Sequence, residues 1–207
     1  MTTLARPGAP PVILASASPA RAQLLAAAGV PFTVCPAPVD EAALRVALRA
    51  EGVAAAEAAV ALAAMKAAHV AGRAPADAIV LGADQLLELD GDWLEKPGSR
   101  DAARAQLRRL RGRSHRLLSA AVSFRAGTRI WHAVAAATLT LRPCSDAFLE
   151  RYLDGVGDAV LGCVGAYQLE GPGAQLMAEV DGAHPTVLGL PLLPVLQHLR
   201  EQGVLET

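Results

Sequence analysis

Short apolar runs alternate with longer segments of helical periodicity through the first half of the chain. The runs at 11–14, 30–35 and 78–82 predict buried strands, because each is too short for a helix and lies next to Gly or Pro. The segments between them carry start and stop signals for helices. Predicted helices cover 22–28, 42–50 and 54–71.

The second half of the chain favours β-structure. Two short apolar runs flank Asp90-Gly91, which predicts a hairpin with a tight turn. Two long strands are predicted on either side of Arg125-Ala126-Gly127. The predicted strands of this half cover 86–89, 93–94, 114–124, 128–141, 161–169 and 175–180, and the helices 99–111, 145–153 and 191–200. Together the two halves predict an α/β fold around a mixed sheet with a cleft.

Composition supports a folded globular protein. The chain has 207 residues, of which 53% are hydrophobic and 19% are charged. This length suits one domain, or two lobes that share a cleft. We expect a flexible N-terminal tail over residues 1–10 and a single domain over residues 11–207.

The charge pattern limits the classes of partner. A net charge of −1 gives no general attraction to nucleic acid or to acidic membranes, so any attraction for anions must be local. No uncharged apolar run approaches the roughly 18 residues of a membrane span. The start of the chain also lacks the pattern of a secretory signal, so we expect a cytoplasmic protein. Three widely spaced cysteines argue against a disulfide framework or a zinc site.

One turn stands out as a candidate anion site. The strand before Ala15 leads into a helix for which Ser18 is the predicted N-cap and Pro19 the first residue. Free backbone N–H groups and the helix dipole favour anions at such a turn. Ser16, Ser18 and Arg21 add two hydroxyls and a guanidinium. An ordinary capped helix with an exposed arginine is the alternative.

Two carboxylates and two further cations extend this pattern. Glu41 follows a proline-rich segment, at a loop or a helix start, and Asp84 follows an apolar strand. Lys66 and Lys96 lie in an apolar helix and in a loop, although a lone lysine on such a helix is usually a surface residue. Cations combined with carboxylates suit a polyphosphate with Mg²⁺ or Mn²⁺, and one carboxylate could orient the attacking water.

At this point the sequence resembles the Maf family, the septum-formation inhibitor-like proteins. The resemblance begins with Ser16-Ala17-Ser18-Pro19-Ala20-Arg21, which is similar to the family's S-x-S-P-x-R signature. It continues in order along nearly the whole chain. The further matching segments are Val39-Asp40-Glu41, Lys66-Ala67, Gly82-Ala83-Asp84-Gln85, Glu95-Lys96-Pro97, Gly112-Arg113-Ser114-His115, Gly165-Ala166-Tyr167, Glu170-Gly171 and Val187-Leu188-Gly189-Leu190-Pro191-Leu192.

The resemblance implies a nucleoside triphosphate pyrophosphatase, a hydrolase that releases a nucleoside monophosphate and pyrophosphate with a divalent cation (Mg²⁺, Mn²⁺ or Co²⁺). It also implies an elongated mixed sheet with two lobes around a deep cleft, similar to inosine triphosphate pyrophosphatases, and makes a homodimer an option. By position, Asp84 matches the proton acceptor, and Glu41 and Asp84 are the expected metal contacts. The expected phosphate-binding residues are Ser16, Ser18, Arg21, Lys66 and Lys96.

Three positions are related to base preference within the family: Ala20, Gln85 and Glu170. Gln85 and Glu170 resemble the 7-methyl-GTP branch, whereas the dTTP and UTP branch usually has Thr and Gln there. A carboxylate suits a cationic 7-methylguanine ring that presents N–H donors. Ala20 departs from both branches, since it is neither the Arg of the dTTP and UTP branch nor an aromatic residue that could stack on the base.

Several functions therefore stay open at the level of sequence. A pyrophosphatase acting on 7-methyl-GTP or another modified nucleotide is the leading hypothesis, and a dTTP/UTP pyrophosphatase is the alternative within the family. A nucleotide-binding regulator of cell division without essential catalysis is an alternative of another class. A nucleic-acid binder that uses the arginine-rich helix 99–111 is disfavoured, because aromatic residues make up only 3% of the chain.

Overall fold

A computed structural model describes residues 4–207 as a mixed sheet flanked by helices. Within this range the seven strands, β1 to β7, cover Val12–Leu14, Thr33–Val34, Ile79–Leu89, Asp92–Leu94, Ser114–Arg125, Thr128–Leu141 and Met177–Asp181. In the same range the α-helices, α1 to α7, cover Pro19–Ala27, Glu41–Ala50, Ala55–Ala71, Arg100–Leu110, Asp146–Val156, His184–Val187 and Leu192–Glu201. The predicted α/β class is confirmed.

The sheet has the strand order β2-β1-β3-β5-β6-β7, and β4 pairs with β3 outside this path. β1 is parallel to both β2 and β3, whereas the β3–β4 and β6–β7 pairs are antiparallel. β1 ends at Leu14, which lies opposite Leu81, but β3 continues to Leu89. The second half of β3 therefore extends beyond its parallel neighbour.

The chain forms two compact units. The first contains the chain up to Gln85 together with residues 119–135 and 184–207. Its core joins β1 and β3 to α1 and α7. The fully or almost fully buried side chains of this core include Leu14, Leu25, Ile79, Leu81, Val195 and Leu199.

The second unit contains residues 86–118 and 136–183. The predicted hairpin is confirmed there, since Leu87 lies opposite Leu94 and the turn between them has φ angles of 52° at Asp90 and 86° at Gly91. Two left-handed residues in succession give the turn that matches the twist of paired strands. Helices α4 and α5 of this unit are joined by ion pairs. These pairs are Arg100–Asp154, Arg104–Glu150, Arg108–Asp146 and Arg111–Asp146.

Four predicted strands differ from the structure. The strand predicted over 161–169 is wrong, because the chain forms short 3-10 turns at Gly157–Gly162 and Val164–Ala166. Gly165 and Ala166 have φ angles of 81° and 58°, which no strand accommodates. The strand predicted over 30–35 shortens to Thr33–Val34. The runs predicted at 78–82 and 86–89 form one continuous strand, β3, because nothing between them turns the chain.

The start of the described chain is attached to its end. The backbone N–H of Leu4 donates to Gly29 at 3.0 Å, and that of Arg6 donates to Val204 at 3.0 Å. Ala5 forms a bridge with Leu205. Residues 1–3 of the predicted tail lie outside the described residues, and the flexible tail and the cleft stay predictions. No helix in the described chain has the length and apolarity that crossing a membrane requires.

Candidate active site

The turn between β1 and α1 has the predicted cap. Ser18 is the N-cap of α1, and its hydroxyl accepts a hydrogen bond from the backbone N–H of Arg21 at 3.5 Å. Pro19 occupies the first helical position, where its missing N–H costs nothing. The Ser16 hydroxyl accepts from the backbone N–H of Ser18 at 3.3 Å. Local sequence signals therefore place both serines at the N-terminus of a helix.

Arg21 is buried and has protein partners, in contrast to an exposed arginine on a capped helix. Its Nε donates to the Gly189 carbonyl at 2.8 Å, and its Nη1 donates to Ser16 Oγ at 3.0 Å and to the Ala83 carbonyl at 2.8 Å. The Leu81 carbonyl accepts a hydrogen bond from the backbone N–H of Ala15 at 2.8 Å, so the Ala83 carbonyl two residues later faces the same side, beyond the end of β1. Arg21 therefore takes the place of a missing strand partner.

Burial also acts on the charge of Arg21. Removal from water lowers the pKa of the guanidinium below its ordinary value, and the negative charges of Asp84 and Glu41 act in the opposite direction. These two carboxylates are therefore close enough to Arg21 for their charges to influence it.

The turn retains hydrogen-bond donors but few acceptors. Both lone-pair positions of Ser16 Oγ are used, by Ser18 N–H and by Arg21 Nη1, so its own hydroxyl hydrogen is left to donate. Within residues 4–207 the Nη2 group of Arg21 donates to no protein acceptor. Donors without acceptors are the arrangement that an anion such as phosphate requires.

Helix α3 brings Lys66 to the same part of the first unit. The buried residues of α3 recur every three or four positions, and Lys66 lies within that buried stripe, between Ala63 and Val70. A Cβ atom added at Gly82 would lie only 2.2 Å from the Ala63 carbonyl oxygen. The absence of a side chain at Gly82 therefore lets α3 pack directly on β3. The alternative that Lys66 is a surface residue is wrong.

Lys66 bridges the two predicted carboxylates. Its Nζ lies 2.5 Å from Oδ1 of Asp84 and 2.9 Å from Oε2 of Glu41. The side chain of Asp84 is 4% exposed, and that of Glu41 is 38% exposed. Asp84 therefore sits at the inner end of the ion pair, and Glu41 sits at the outer end, where solvent or a ligand can reach it.

Arg45 completes this cluster and was missed by the sequence reasoning. Its Nη2 lies 3.3 Å from Glu41 Oε2 and 3.4 Å from Asp84 Oδ2. Glu41 is the first residue of α2, after the N-cap Asp40, so Arg45 lies one helical turn further on. The only signal in the sequence was this i, i+4 spacing, which usually marks a surface pair. We call Glu41, Arg45, Lys66 and Asp84 the charge quartet.

The sequence predicted that Asp84 lies at the end of its strand, and this prediction is wrong. Asp84 lies within β3, which continues for five more residues to Leu89. The strand that ends near Asp84 is the neighbouring strand β1, whose last residue, Leu14, lies opposite Leu81. On the β1 side of β3, Asp84 therefore lies three residues beyond the last paired residue.

Gln85 has a fixed orientation. Its Nε2 donates to the carbonyls of Thr186 and Val187 at 3.1 and 3.0 Å and to Ser119 Oγ at 3.0 Å. Ser119 uses its own hydroxyl hydrogen on Thr186 at 2.7 Å, so these three atoms can only accept. In the described chain Oε1 of Gln85 receives no hydrogen bond. It is left to accept one from a ligand.

The structure brings most of the predicted site residues into the first unit. Ser16, Ser18 and Arg21 contact one another, and Glu41, Lys66 and Asp84 form the core of the charge quartet. Ala20 lies in the first turn of α1 and Gln85 follows Asp84. Lys96 and Glu170 belong to the second unit, where both are exposed. Their predicted roles in phosphate binding and base recognition stay predictions.

The donor set suits a hard divalent cation. Among residues 4–207 no group of three or more His, Cys, Asp or Glu side chains is arranged to hold a metal ion. However, the carboxylates of Glu41 and Asp84 converge on shared positively charged groups, since Lys66 Nζ and Arg45 Nη2 each contact both. Mg²⁺ is often held by one or two carboxylates with substrate phosphates and water. Glu41 and Asp84 fit that pattern.

Comparisons with known proteins give matches over nearly the whole chain. A family described as "Maf-like protein" matches residues 11–202. A protein of Rhodospirillum rubrum named "Nucleoside triphosphate pyrophosphatase" is 50% identical over 95% of this chain and 96% of its own length. One of Paramagnetospirillum magneticum with the same name is 51% identical over 93% and 99%. The "7-methyl-GTP pyrophosphatase" of Rhizobium meliloti is 46% identical over 95% and 98%.

Proposed function

This chain belongs to the Maf-like protein family, and we propose that it hydrolyses nucleoside triphosphates between the α- and β-phosphates. We also propose that 7-methyl-GTP or another modified nucleotide is its preferred substrate. The products are a nucleoside monophosphate and pyrophosphate. The names of the relatives identify the chain as a hydrolase acting on phosphoanhydrides. We propose in addition which phosphoanhydride bond is cleaved, which nucleobase is preferred and which residues act.

The observation that carries the proposal is a buried carboxylate held beside groups that can only donate hydrogen bonds. Asp84 is fixed by Lys66 at 2.5 Å, next to Ala83, whose carbonyl accepts from Arg21. Ser16 and Arg21 keep donors for phosphate oxygens. A triphosphate needs such donors on its oxygens, and its hydrolysis needs a base for water.

In this mechanism Asp84 takes a proton from a water molecule as the water oxygen bonds to the α-phosphorus. The bridging P–O bond then breaks, and pyrophosphate leaves with that bond's electron pair. Lys66, Arg21 and Ser16 neutralise or hydrogen-bond the phosphate oxygens as negative charge builds on them. Lys96 is proposed as a further phosphate ligand. Ser18 contributes by holding the start of α1 through its cap.

A divalent cation is part of the proposal. Glu41 and Asp84 would hold it, and Mg²⁺, Mn²⁺ and Co²⁺ are the candidates. When bound, such an ion offsets the charge of the phosphates and favours attack by water. The residues of the chain supply the remaining functions, since Lys66 keeps the two carboxylates at a fixed separation.

Base preference is assigned to Gln85 and Glu170. The Oε1 atom of Gln85 has no donor among the described residues and would accept from an N–H of the base. The carboxylate of Glu170 matches the charge and donors of 7-methylguanine. Ala20 lies in the first turn of α1 and offers no stacking surface. One relative carries the 7-methyl-GTP name, whereas others carry only the general one.

A screen of canonical and methylated nucleoside triphosphates tests the proposal. Each nucleotide is incubated with the purified chain and Mg²⁺, Mn²⁺ or Co²⁺, and both pyrophosphate and the monophosphate are measured. We expect equimolar products, with the highest kcat/KM on 7-methyl-GTP. Higher kcat/KM on dTTP and UTP would assign the chain to the other branch. Tight nucleotide binding without products would favour a cell-division regulator and would contradict the proposal.

A further inference from the structure

Arg45 occupies a position that a metal ion would need. Its Nη2 lies almost equally far from Glu41 Oε2, at 3.3 Å, and from Asp84 Oδ2, at 3.4 Å. One positively charged nitrogen therefore sits between the two carboxylates. These carboxylates are also the oxygen donors that the proposed function assigns to the divalent cation.

The charge quartet is already neutral. Glu41 and Asp84 supply two negative charges, and Lys66 and Arg45 supply two positive ones. A divalent ion added to this set would meet two cations within a few ångströms, where screening by solvent is reduced because three of the four side chains are at most 12% exposed. Metal alone should therefore bind weakly unless one cation leaves.

Of the two cations, Arg45 is held less firmly. Its contacts of 3.3 and 3.4 Å are longer than the 2.9 and 2.5 Å contacts of Lys66. Its Nε is buried without a hydrogen-bond partner among the described residues, which is an unfavourable state for a charged group. Helix α2, which carries Arg45, has no buried residue, so a movement of this side chain disturbs no packed stripe of its own helix. Lys66, in contrast, lies on the packed stripe of α3.

We propose that Arg45 holds the place of the divalent cation in the nucleotide-free protein and leaves it when the metal arrives with the nucleotide. This inference rests on the proposed function, because the metal is part of that function. The triphosphate supplies the negative charge that the added metal requires and new acceptors for the displaced guanidinium. The protein then takes up metal and nucleotide together and binds little metal alone.

The test is a titration of Mn²⁺ into the free protein, without nucleotide, followed by calorimetry or by the EPR signal of unbound Mn²⁺. The proteins compared are the wild type, Arg45→Gln, Arg45→Lys and Arg109→Gln. Arg109 forms an exposed ion pair with Asp92, so its replacement removes the same charge far along the sequence from α2. Circular dichroism confirms that each variant is folded.

We expect Arg45→Gln to bind Mn²⁺ at least about tenfold more tightly than the wild type, because a competing cation has been removed. Arg45→Lys should lie closer to the wild type, and Arg109→Gln should match it. Damage to the fold would weaken metal binding, so a gain has the opposite sign to a structural defect. Equal or weaker binding by Arg45→Gln would overturn the inference.

The double variant Glu41→Gln with Arg45→Gln locates the effect. The gain in Mn²⁺ affinity should disappear, because one of the two carboxylates has lost its charge. If the gain persists, the metal binds elsewhere and the inference fails. A wild type that releases no pyrophosphate while Arg45→Gln still gains Mn²⁺ affinity would remove the proposed function alone. Active enzymes with equal Mn²⁺ affinities would remove only the role of Arg45.

Discussion

Arg21 donates from Nη1 to the carbonyl oxygen of Ala83 at 2.8 Å, in the place that a longer β1 would have filled. The same guanidinium reaches Ser16 and Gly189. Arg21 therefore joins α1, β3 and the segment before α7 before any ligand is bound. One side chain both completes the sheet edge and offers its remaining donors to phosphate.

The Arg21→Lys variant should be destabilised, although it keeps the positive charge. An ammonium group cannot reproduce the planar set of donors, so buried acceptors lose partners at a cost of roughly 2–4 kcal/mol. Urea unfolding measures this free energy. Arg109→Lys, at an exposed ion pair, is the matched control and should change it by less than about 1 kcal/mol. Equal stability of the two variants would show that the Arg21 contacts contribute little.

Gly82→Ala should separate α3 from β3. The added methyl group would lie 2.2 Å from the Ala63 carbonyl oxygen and 2.8 Å from the Ala67 Cβ. Overpacking against backbone of this kind costs about 3 kcal/mol. Because α3 also carries Lys66, turnover should fall with stability. Gly98→Ala places its methyl group in open space and should affect neither the unfolding midpoint nor the rate.

Glu170→Gln tests the proposed base preference. Loss of the carboxylate should lower kcat/KM for 7-methyl-GTP by about ten- to a hundredfold, the value of a hydrogen bond to a charged group. The value for UTP should change much less, since uracil carries no positive charge. Glu179→Gln removes the same charge from an exposed position of β7 and serves as the control. Parallel losses on both nucleotides would argue against a role for Glu170 in base recognition.

His115 should make stability depend on pH. Burial lowers its pKa from 6.5 to about 4, and its Nε2 lies 2.6 Å from the Tyr167 hydroxyl. Between these two pH values the unfolded chain binds the proton and the folded chain does not. The contribution of His115 to the free energy of unfolding is therefore fully present above pH 6.5, and roughly 3 kcal/mol of it is lost as the pH drops to 4.

Urea unfolding between pH 7 and pH 4 measures this effect. The decline should be smaller in His115→Gln than in the wild type, whereas the exposed His132→Gln should follow the wild type. His198, whose pKa is also lowered by burial, contributes to the decline in all three proteins. An unchanged slope in His115→Gln would exclude His115 as a source of the dependence.

Local signals in the sequence predicted much of the fold. Ser18, Ser99 and Ser145 are all N-caps in the structure, as their positions ahead of helical segments indicated. The hairpin was likewise predicted from Asp90-Gly91 at its turn, and the structure confirms it. The prediction of a strand over 161–169 is wrong because this segment forms 3-10 turns. A short apolar run indicates burial, but it does not determine the backbone conformation in which its residues are buried.

The site was predictable as a set of residue types but not as a geometry. Lys66 and Asp84 were identified from motifs, yet the 2.5 Å contact between them depends on α3 packing against Gly82. Arg45 carried no distinctive signal, because an i, i+4 pair with Glu41 is common on exposed helices. Its contact with Asp84, 39 positions further along, exists only once the first unit has folded.

Asp84 is the proposed base of the pyrophosphatase reaction. This claim is tested by measuring pyrophosphate release from 7-methyl-GTP in the presence of Mg²⁺, with the wild type and with Asp84→Asn, an isosteric change. We predict that the variant keeps its circular dichroism spectrum and loses at least about a hundredfold in kcat. Undiminished turnover by Asp84→Asn would contradict the claim.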